Sequence, residues 1–147
     1  MKMYLFILML FLGVVLTVHL AMNAQVGVIV QNAKMGNAIF WTIGAITAII
    51  IGLTARHADV FNRLKEVPFW LLTAGVMGGA LVFGIAWVMP QIGAARGFVL
   101  MIAGQVITGL VLSHFGLLGS PVEPISFYKI LGALLLVAVV GIVTFAK

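Results

Sequence analysis

The chain has 147 residues, of which 64% are hydrophobic and only 7% are charged. Soluble domains typically carry about 25% charged residues, so this composition excludes a soluble globular protein and leaves a polytopic membrane protein. The net charge of +5 is spread singly between apolar runs, which excludes a clustered nucleic-acid-binding surface, and the absence of cysteine excludes disulfides and thiolate metal sites.

Five apolar segments are long enough to cross a bilayer, which takes about 20 residues for roughly 30 Å of hydrocarbon. The sequence predicts spanning helices over residues 3–24, 36–54, 68–89, 92–114 and 126–146. None of them alternates with the period of a strand, and each is about twice as long as a strand of a membrane barrel. We therefore predict an all-α integral membrane protein in which residues 1–147 form a single five-helix domain.

The connections between these helices are polar or rich in turn residues. Gln31–Lys34 predicts a short link, and Ala55–Val67 holds five of the eleven charges and predicts a solvated, short helical link. Pro90-Gln91 predicts a tight turn, and Gly116–Pro124 predicts a loop rich in Gly and Pro.

Because the number of spanning helices is odd, the two termini lie on opposite sides of the membrane. Near the helix ends, five basic residues lie on the side of the N-terminus and three on the other: Lys2, Arg56, Arg63, Lys65 and Lys129 against Lys34, Arg96 and Lys147. Basic residues favour the cytoplasmic side, so a ratio of 5 to 3 favours a cytoplasmic N-terminus only weakly. We predict a dual topology, or an orientation that is easily reversed.

Small residues mark the faces on which helices pack closely in lipid. Six of them stand at steps of four in the predicted third and fourth helices: Gly75, Gly79, Gly93, Gly97, Gly109 and Ser113. The pattern predicts close packing, either between helices of one subunit or along a seam between two subunits.

Polar side chains within the spanning segments are costly unless they are paired, so each one points to a specific role. His19 and Asn23 share a face of the first helix, and Gln105 stands near the middle of the fourth. Each is interpreted either as a structural hydrogen-bonding residue or as a substrate contact, and His19 is also the candidate for proton coupling because histidine titrates near neutral pH. Trp87 and Met101 are further candidates for the apolar wall of a substrate cavity.

No catalytic pattern accompanies these residues. The three acidic residues, Asp59, Glu66 and Glu123, all fall in predicted loops, and no phosphate-binding, dinucleotide-binding or zinc-protease motif is present. We therefore predict a protein that is not an enzyme and that uses no cofactor or metal.

Several groups of residues, taken in order, resemble the half-size, five-helix YdcZ-type proteins of the drug/metabolite transporter superfamily. The resemblance covers nearly the whole chain, and it rests on Asn23, the glycine cluster 75–80, residues 90–95 leading to 103–105, residues 114–119, and Lys129, Gly132 and Gly141. Related proteins often have Gln at the position of His19 and Asp at that of Ser113. The chain therefore lacks an acidic residue at the end of its fourth helix.

This resemblance implies a transporter half. Larger members of the superfamily look like two five-helix repeats inserted in opposite orientations around a central cavity, so a five-helix chain is expected to pair as an antiparallel homodimer or with a paralogue. We predict a multi-pass protein of the bacterial inner membrane that transports a small organic metabolite or amphiphile. The alternative is a non-transporting membrane subunit that packs against a partner carrier or enzyme, which the scarcity of buried charge would suit.

Overall fold

A computed structural model describes residues 3–54 and 60–145. Five long helices are separated by short connections: α1 (Met3–Ile29), α2 (Ala33–Leu53), α4 (Phe69–Ile92), α5 (Ala94–Phe115) and α6 (Phe127–Phe145). A five-residue helix, α3 (Val60–Leu64), lies in the charged link, and a 3₁₀ turn (Leu117–Gly119) follows α5. The five long helices are all apolar and long enough to cross a membrane, which confirms the prediction of an all-α membrane protein.

The exposed surface of these helices is apolar, which is the reverse of a soluble protein. Helix α6 has no buried residue, and in α1 every described residue before His19 is exposed. Large exposed apolar faces mark surfaces that are covered by lipid or by a partner. The lipid bilayer is therefore the solvent for this fold.

Helix α1 is five residues longer than the sequence predicted, because the chain remains helical through Ile29 before turning at Gln31, whose φ is 52°. Asn32 caps α2: its Oδ1 accepts a hydrogen bond from the amide of Met35 at 3.1 Å. As a consequence His19 lies three residues after the midpoint of the 27-residue α1, not near its end.

The predicted turn at Pro90-Gln91 is wrong, because α4 continues through both residues to Ile92. A proline interrupts one backbone hydrogen bond, which costs less in the last turn of a helix than in its interior. The Gln91 side chain donates to the carbonyl of Trp87 at 2.7 Å and so satisfies a backbone group there. The break falls instead at Gly93, whose φ of 85° suits glycine.

The described chain divides into two compact units, one ending at Gln91 and the other beginning at Ile92. In the first unit α1 packs along α2, and in the second α5 packs along α6. The loop of the second unit is tied to the end of α5, where the Ser113 carbonyl accepts from the amide of Glu123 at 2.8 Å. His114 Nδ1 accepts from the amide of Ile125 at 3.1 Å, and the Lys129 ammonium pairs with Glu123 at 3.0 Å.

Candidate substrate-binding site

The threonine hydroxyls of α1 and α2 are satisfied inside their own helices. Thr17, Thr42 and Thr47 donate to carbonyl oxygens one turn earlier at 3.0, 2.8 and 2.9 Å. Such bonds are the usual way in which Thr is accommodated in an apolar helix. In these two helices, the polar groups that still need an explanation are therefore the imidazole and amide side chains.

His19 is half-buried on α1 and has a defined ring orientation. Its Nδ1 lies 2.8 Å from the carbonyl oxygen of Leu16. Because a carbonyl only accepts, Nδ1 carries the proton, and the neutral ring then presents Nε2 as an acceptor. The ring also stacks against Phe40 of α2, with 5.3 Å between centroids and 35° between planes.

A cavity of about 490 Å³ opens beside this ring. His19, Phe40 and Trp41 form its aromatic end, and Phe40 and Trp41 meet edge to face at 5.8 Å. Along α2 the cavity continues past Thr47 to Ile51. Volumes of this order are typical of sites for small organic ligands, which are mostly apolar with few polar groups.

Asn23, one turn beyond His19, is the most deeply buried polar residue among those described, with 2% of its surface exposed. Neither its amide nitrogen nor its amide oxygen has a hydrogen-bond partner among the described residues. Leaving such a group unpaired typically costs about 1–3 kcal/mol. Asn23 does not line the cavity beside His19, so the structure does not join these two candidates into one site.

Helix α4 meets α2 through its glycine cluster. The Asn37 amide nitrogen of α2 donates to the Gly79 carbonyl at 3.3 Å. A Cβ on Gly78 would lie 3.5 Å from Cη2 of Trp41, which is ordinary van der Waals contact. Gly78 of α4 therefore lies beside Trp41, a lining residue of the cavity, with room for a Cβ between them.

The remaining cavity candidates lie elsewhere. Trp87 of α4 is exposed, Met101 of α5 is half-buried and Gln105 of α5 is exposed. None of the three lines the cavity beside His19. Their predicted contact with substrate stays a prediction.

The six small residues of the predicted seam pack little within this chain. A Cβ on Gly75, Gly79, Gly93 or Gly109 would have no described neighbour within 4 Å, and one on Gly97 would meet only Ile92 Cδ1 at 3.9 Å. The Ser113 hydroxyl lies 3.2 Å from that of Ser120 and so belongs to the loop that closes α5. A role of these positions in a dimer seam stays a prediction.

Phe40 and Thr47 were not predicted as site residues, although the sequence carries a signal for them. Phe40, Gly44, Thr47 and Ile51 recur at helical spacing and so share one face of α2. In the sequence this face resembles the ordinary apolar surface of a helix. Only the structure, which places His19 of α1 opposite it, shows that it lines a cavity.

Among the described residues, no Asp, Glu, Lys or Arg side chain lines the cavity. Among the same residues, no group of three or more His, Cys, Asp or Glu is arranged to hold a metal ion. The cavity therefore offers aromatic surface and neutral hydrogen-bonding groups.

Comparison of the sequence with known proteins identifies the family of this chain. Residues 4–143 match the family model described as "Putative inner membrane exporter, YdcZ". The chain is 27% identical over 135 residues to the inner membrane protein YdcZ of Escherichia coli (strain K12), covering 83% of this chain and 90% of that protein. No solved structure matches the chain significantly.

The matched region contains all five spanning helices except the first residue of α1 and the last two of α6. Together with those helices, the match identifies a multi-pass transporter of the inner membrane. The chain belongs to the YdcZ family of the drug/metabolite transporter superfamily.

Proposed function

We propose that the chain works as one half of an antiparallel dimer that transports a small organic metabolite or amphiphile through a cavity between the two subunits. Each subunit contributes as its ligand-binding surface the cavity beside His19 described above, which from here on is called the groove beside His19. The assembly is expected to be a homodimer or a pair of paralogues.

The observation that carries the dimer is the position of Gln105. This residue stands at the centre of α5, which runs from Ala94 to Phe115, and its side chain is exposed. No residue of the unit that begins at Ile92 covers its amide, whose two donors and one acceptor need partners at this depth in the membrane. A second subunit that covers this face would supply the missing hydrogen-bond partners.

The antiparallel arrangement is supported by the charge distribution. Five spanning helices and a basic-residue ratio of 5 to 3 leave the two orientations of the chain close in free energy. Two chains of opposite orientation reproduce the inverted repeats from which many transporters are built.

Single-cysteine cross-linking tests the dimer directly, because the chain has no native cysteine. Gly97 and Ser113 each lie eight residues from Gln105 on α5, about 12 Å along the helix axis in opposite directions. In an antiparallel α5–α5 contact, a Gly97→Cys subunit should cross-link to a Ser113→Cys subunit through a short bismaleimide. In a parallel contact, each variant should instead cross-link to its own copy.

Transport is tested with purified protein in liposomes. Flux of a small aromatic or amphiphilic solute through liposomes that contain only this protein would support the proposal. Antiparallel cross-linking with no flux of any solute tested would favour the alternative, a membrane subunit that acts with a partner carrier or enzyme.

A further inference from the structure

We propose that the groove beside His19 binds neutral hydroxylated aromatic molecules, with the hydroxyl of the ligand bonded to Nε2 of His19. This inference deepens the proposed transport function and rests on it for its physiological meaning. The binding site itself is argued from the contacts of α1 and α2 alone.

The first step concerns the hydrogen-bonding capacity of the groove. His19 Nδ1 is committed to the Leu16 carbonyl, so the neutral ring can only accept at Nε2, and no described residue donates to that atom. Thr47 has already used its proton on the carbonyl of Ile43, so its oxygen also has only accepting capacity left. A ligand that forms a hydrogen bond with His19 Nε2 or with the Thr47 oxygen therefore has to bring a donor.

The second step concerns shape and charge. Phe40 and Trp41 present two rings at 85° to one another, and the His19 ring lies 5.3 Å from that of Phe40. Aromatic rings pack on such surfaces in stacked or edge-to-face geometry. Because no charged side chain is among the described lining residues, a ligand ion would have no counter-ion there, so the groove favours a neutral molecule.

The third step distinguishes a hydroxyl group from other donors. A hydroxyl donates one proton to the imidazole without bringing a charge, whereas an ammonium donor would enter a groove that has no carboxylate among its described lining residues. A lipid acyl chain, the other occupant that an apolar groove would attract, offers no donor.

The test compares two probes that differ in one donor: 1-naphthol and 1-methoxynaphthalene. Both have the same ring system, and both fit a cavity of about 490 Å³. Saturable binding of each radiolabelled probe is measured by scintillation proximity on purified protein in detergent near pH 8. We expect wild type to bind 1-naphthol at least about fivefold more tightly, as one ordinary hydrogen bond supplies.

The variants assign that preference to the groove. His19→Phe keeps an aromatic ring but removes the acceptor, and it should bind both probes equally. Trp41→Leu should weaken the binding of both probes. Trp70→Leu is the matched control, because Trp70 is exposed at the start of α4 and does not line the groove; it should change neither affinity.

Equal binding of the two probes by wild type, or an undiminished preference in His19→Phe, would overturn the proposal. An absence of saturable binding of either probe would point to lipid as the occupant and would also overturn it. Failure of transport is separable: saturable binding of 1-naphthol without its flux in liposomes upholds the site and counts against transport. If the protein transports another solute but does not bind 1-naphthol, the proposed binding site is overturned and the proposed transport function stands.

Discussion

The backbones of Gly27 and Gly36 lie so close together that a Cβ atom on Gly36 would stand 2.7 Å from the Gly27 Cα. A Cβ on Gly27 would likewise stand 3.2 Å from the Cα of Ala33. Helices α1 and α2 therefore meet here at backbone contact, the close packing that small residues permit in lipid. The same two helices carry His19 and Phe40, so this crossing positions the two sides of the groove.

Replacement of Gly36 by alanine should separate α1 from α2. The atoms in the way are the Gly27 backbone N and Cα, which cannot move aside as a flexible side chain can. We expect a loss of about 1–3 kcal/mol in the free energy of unfolding, which is typical of overpacking. The measurement is unfolding in mixed micelles, followed by circular dichroism.

Gly52→Ala is the control for this substitution, because Gly52 lies on the same helix and has no described neighbour within 4 Å of an added Cβ. It should be neutral or slightly stabilising, since alanine favours helix over glycine by up to about 1 kcal/mol. Equal stability of Gly36→Ala and Gly52→Ala would contradict the backbone contact.

The loop after α5 depends on Gly116 for two separable reasons. Its φ of 63° lies in the left-handed region, and an added Cβ would lie 2.6 Å from Cγ2 of Val122. Gly119 has a φ of 77° but no described neighbour within 4 Å of a Cβ. Gly116→Ala should therefore lower the free energy of unfolding by more than Gly119→Ala, whose cost of about 1–2 kcal/mol is conformational only.

Thermal unfolding in detergent measures both variants. Val122→Ala removes the clashing methyl groups, so in the Gly116→Ala background it should restore stability to the level of Gly119→Ala and no further. If the double variant remains as unstable as Gly116→Ala, the clash with Val122 is not the cause.

Gly97 tests whether the small-residue face of α5 forms a contact between subunits. Within the described chain an added Cβ at this position would meet only Ile92 Cδ1 at 3.9 Å, so we expect Gly97→Leu to leave the fold of one subunit intact. If this face is a dimer seam, leucine should force the two subunits apart and lower the dimer fraction, at a cost of about 1–3 kcal/mol.

The dimer fraction is measured by subunit energy transfer in lipid. Gly132→Leu serves as the matched variant, since Gly132 of α6 has no described neighbour within 4 Å of a Cβ and does not belong to the predicted seam. An unchanged dimer fraction in Gly97→Leu would mean that this face contacts lipid.

The topology prediction follows from the weak charge bias. C-terminal fusions to a cytoplasmic and to an external reporter should both give a signal in the wild-type chain. Two lysines added after Thr144 should hold the C-terminus in the cytoplasm and silence the external reporter. A one-sided signal from the wild-type fusions would rule out dual topology and would require an oppositely oriented partner or a parallel dimer.

The spanning helices could be predicted from the sequence because helix length and apolar composition are imposed by the bilayer. The ends of the helices were less predictable: the first helix was predicted to end at residue 24, yet α1 continues to Ile29, and Pro90 suggested a turn that falls at Gly93. In both cases the local sequence favoured an earlier end of the helix. The helix continues because, in lipid, backbone groups that leave a helix have no water with which to form hydrogen bonds.

The candidate site shows the same limit. Periodicity placed His19 and Asn23 on one face of α1, but it could not show which residue of another helix each would meet. The structure pairs His19 with Phe40 and leaves the amide of Asn23 buried without a described partner. Such tertiary pairing depends on where helices cross, here at Gly27 and Gly36, and spacing along one helix does not carry that information.

His19 provides the most specific prediction, because its tautomer sets the sign of the pH effect. With Nδ1 donating to the Leu16 carbonyl, the neutral ring accepts at Nε2, whereas the protonated ring donates at both nitrogens. A ligand that donates to Nε2 therefore binds the neutral form. Its affinity should fall when acid protonates the ring.

His19→Gln removes the titrating group while it keeps a side chain that can accept a hydrogen bond. The variant should fold and bind 1-naphthol, and its binding and proton-gradient-driven uptake should not change with pH. His19→Ala should in addition lower the affinity, because the ligand hydroxyl would lose its acceptor, a loss of about 1–3 kcal/mol. Since no charged side chain is among the described lining residues, no second titrating group there would mimic the effect. If wild type shows no pH dependence, or His19→Gln retains it in full, His19 is a structural residue and the protein transports by facilitation, without proton coupling through the groove.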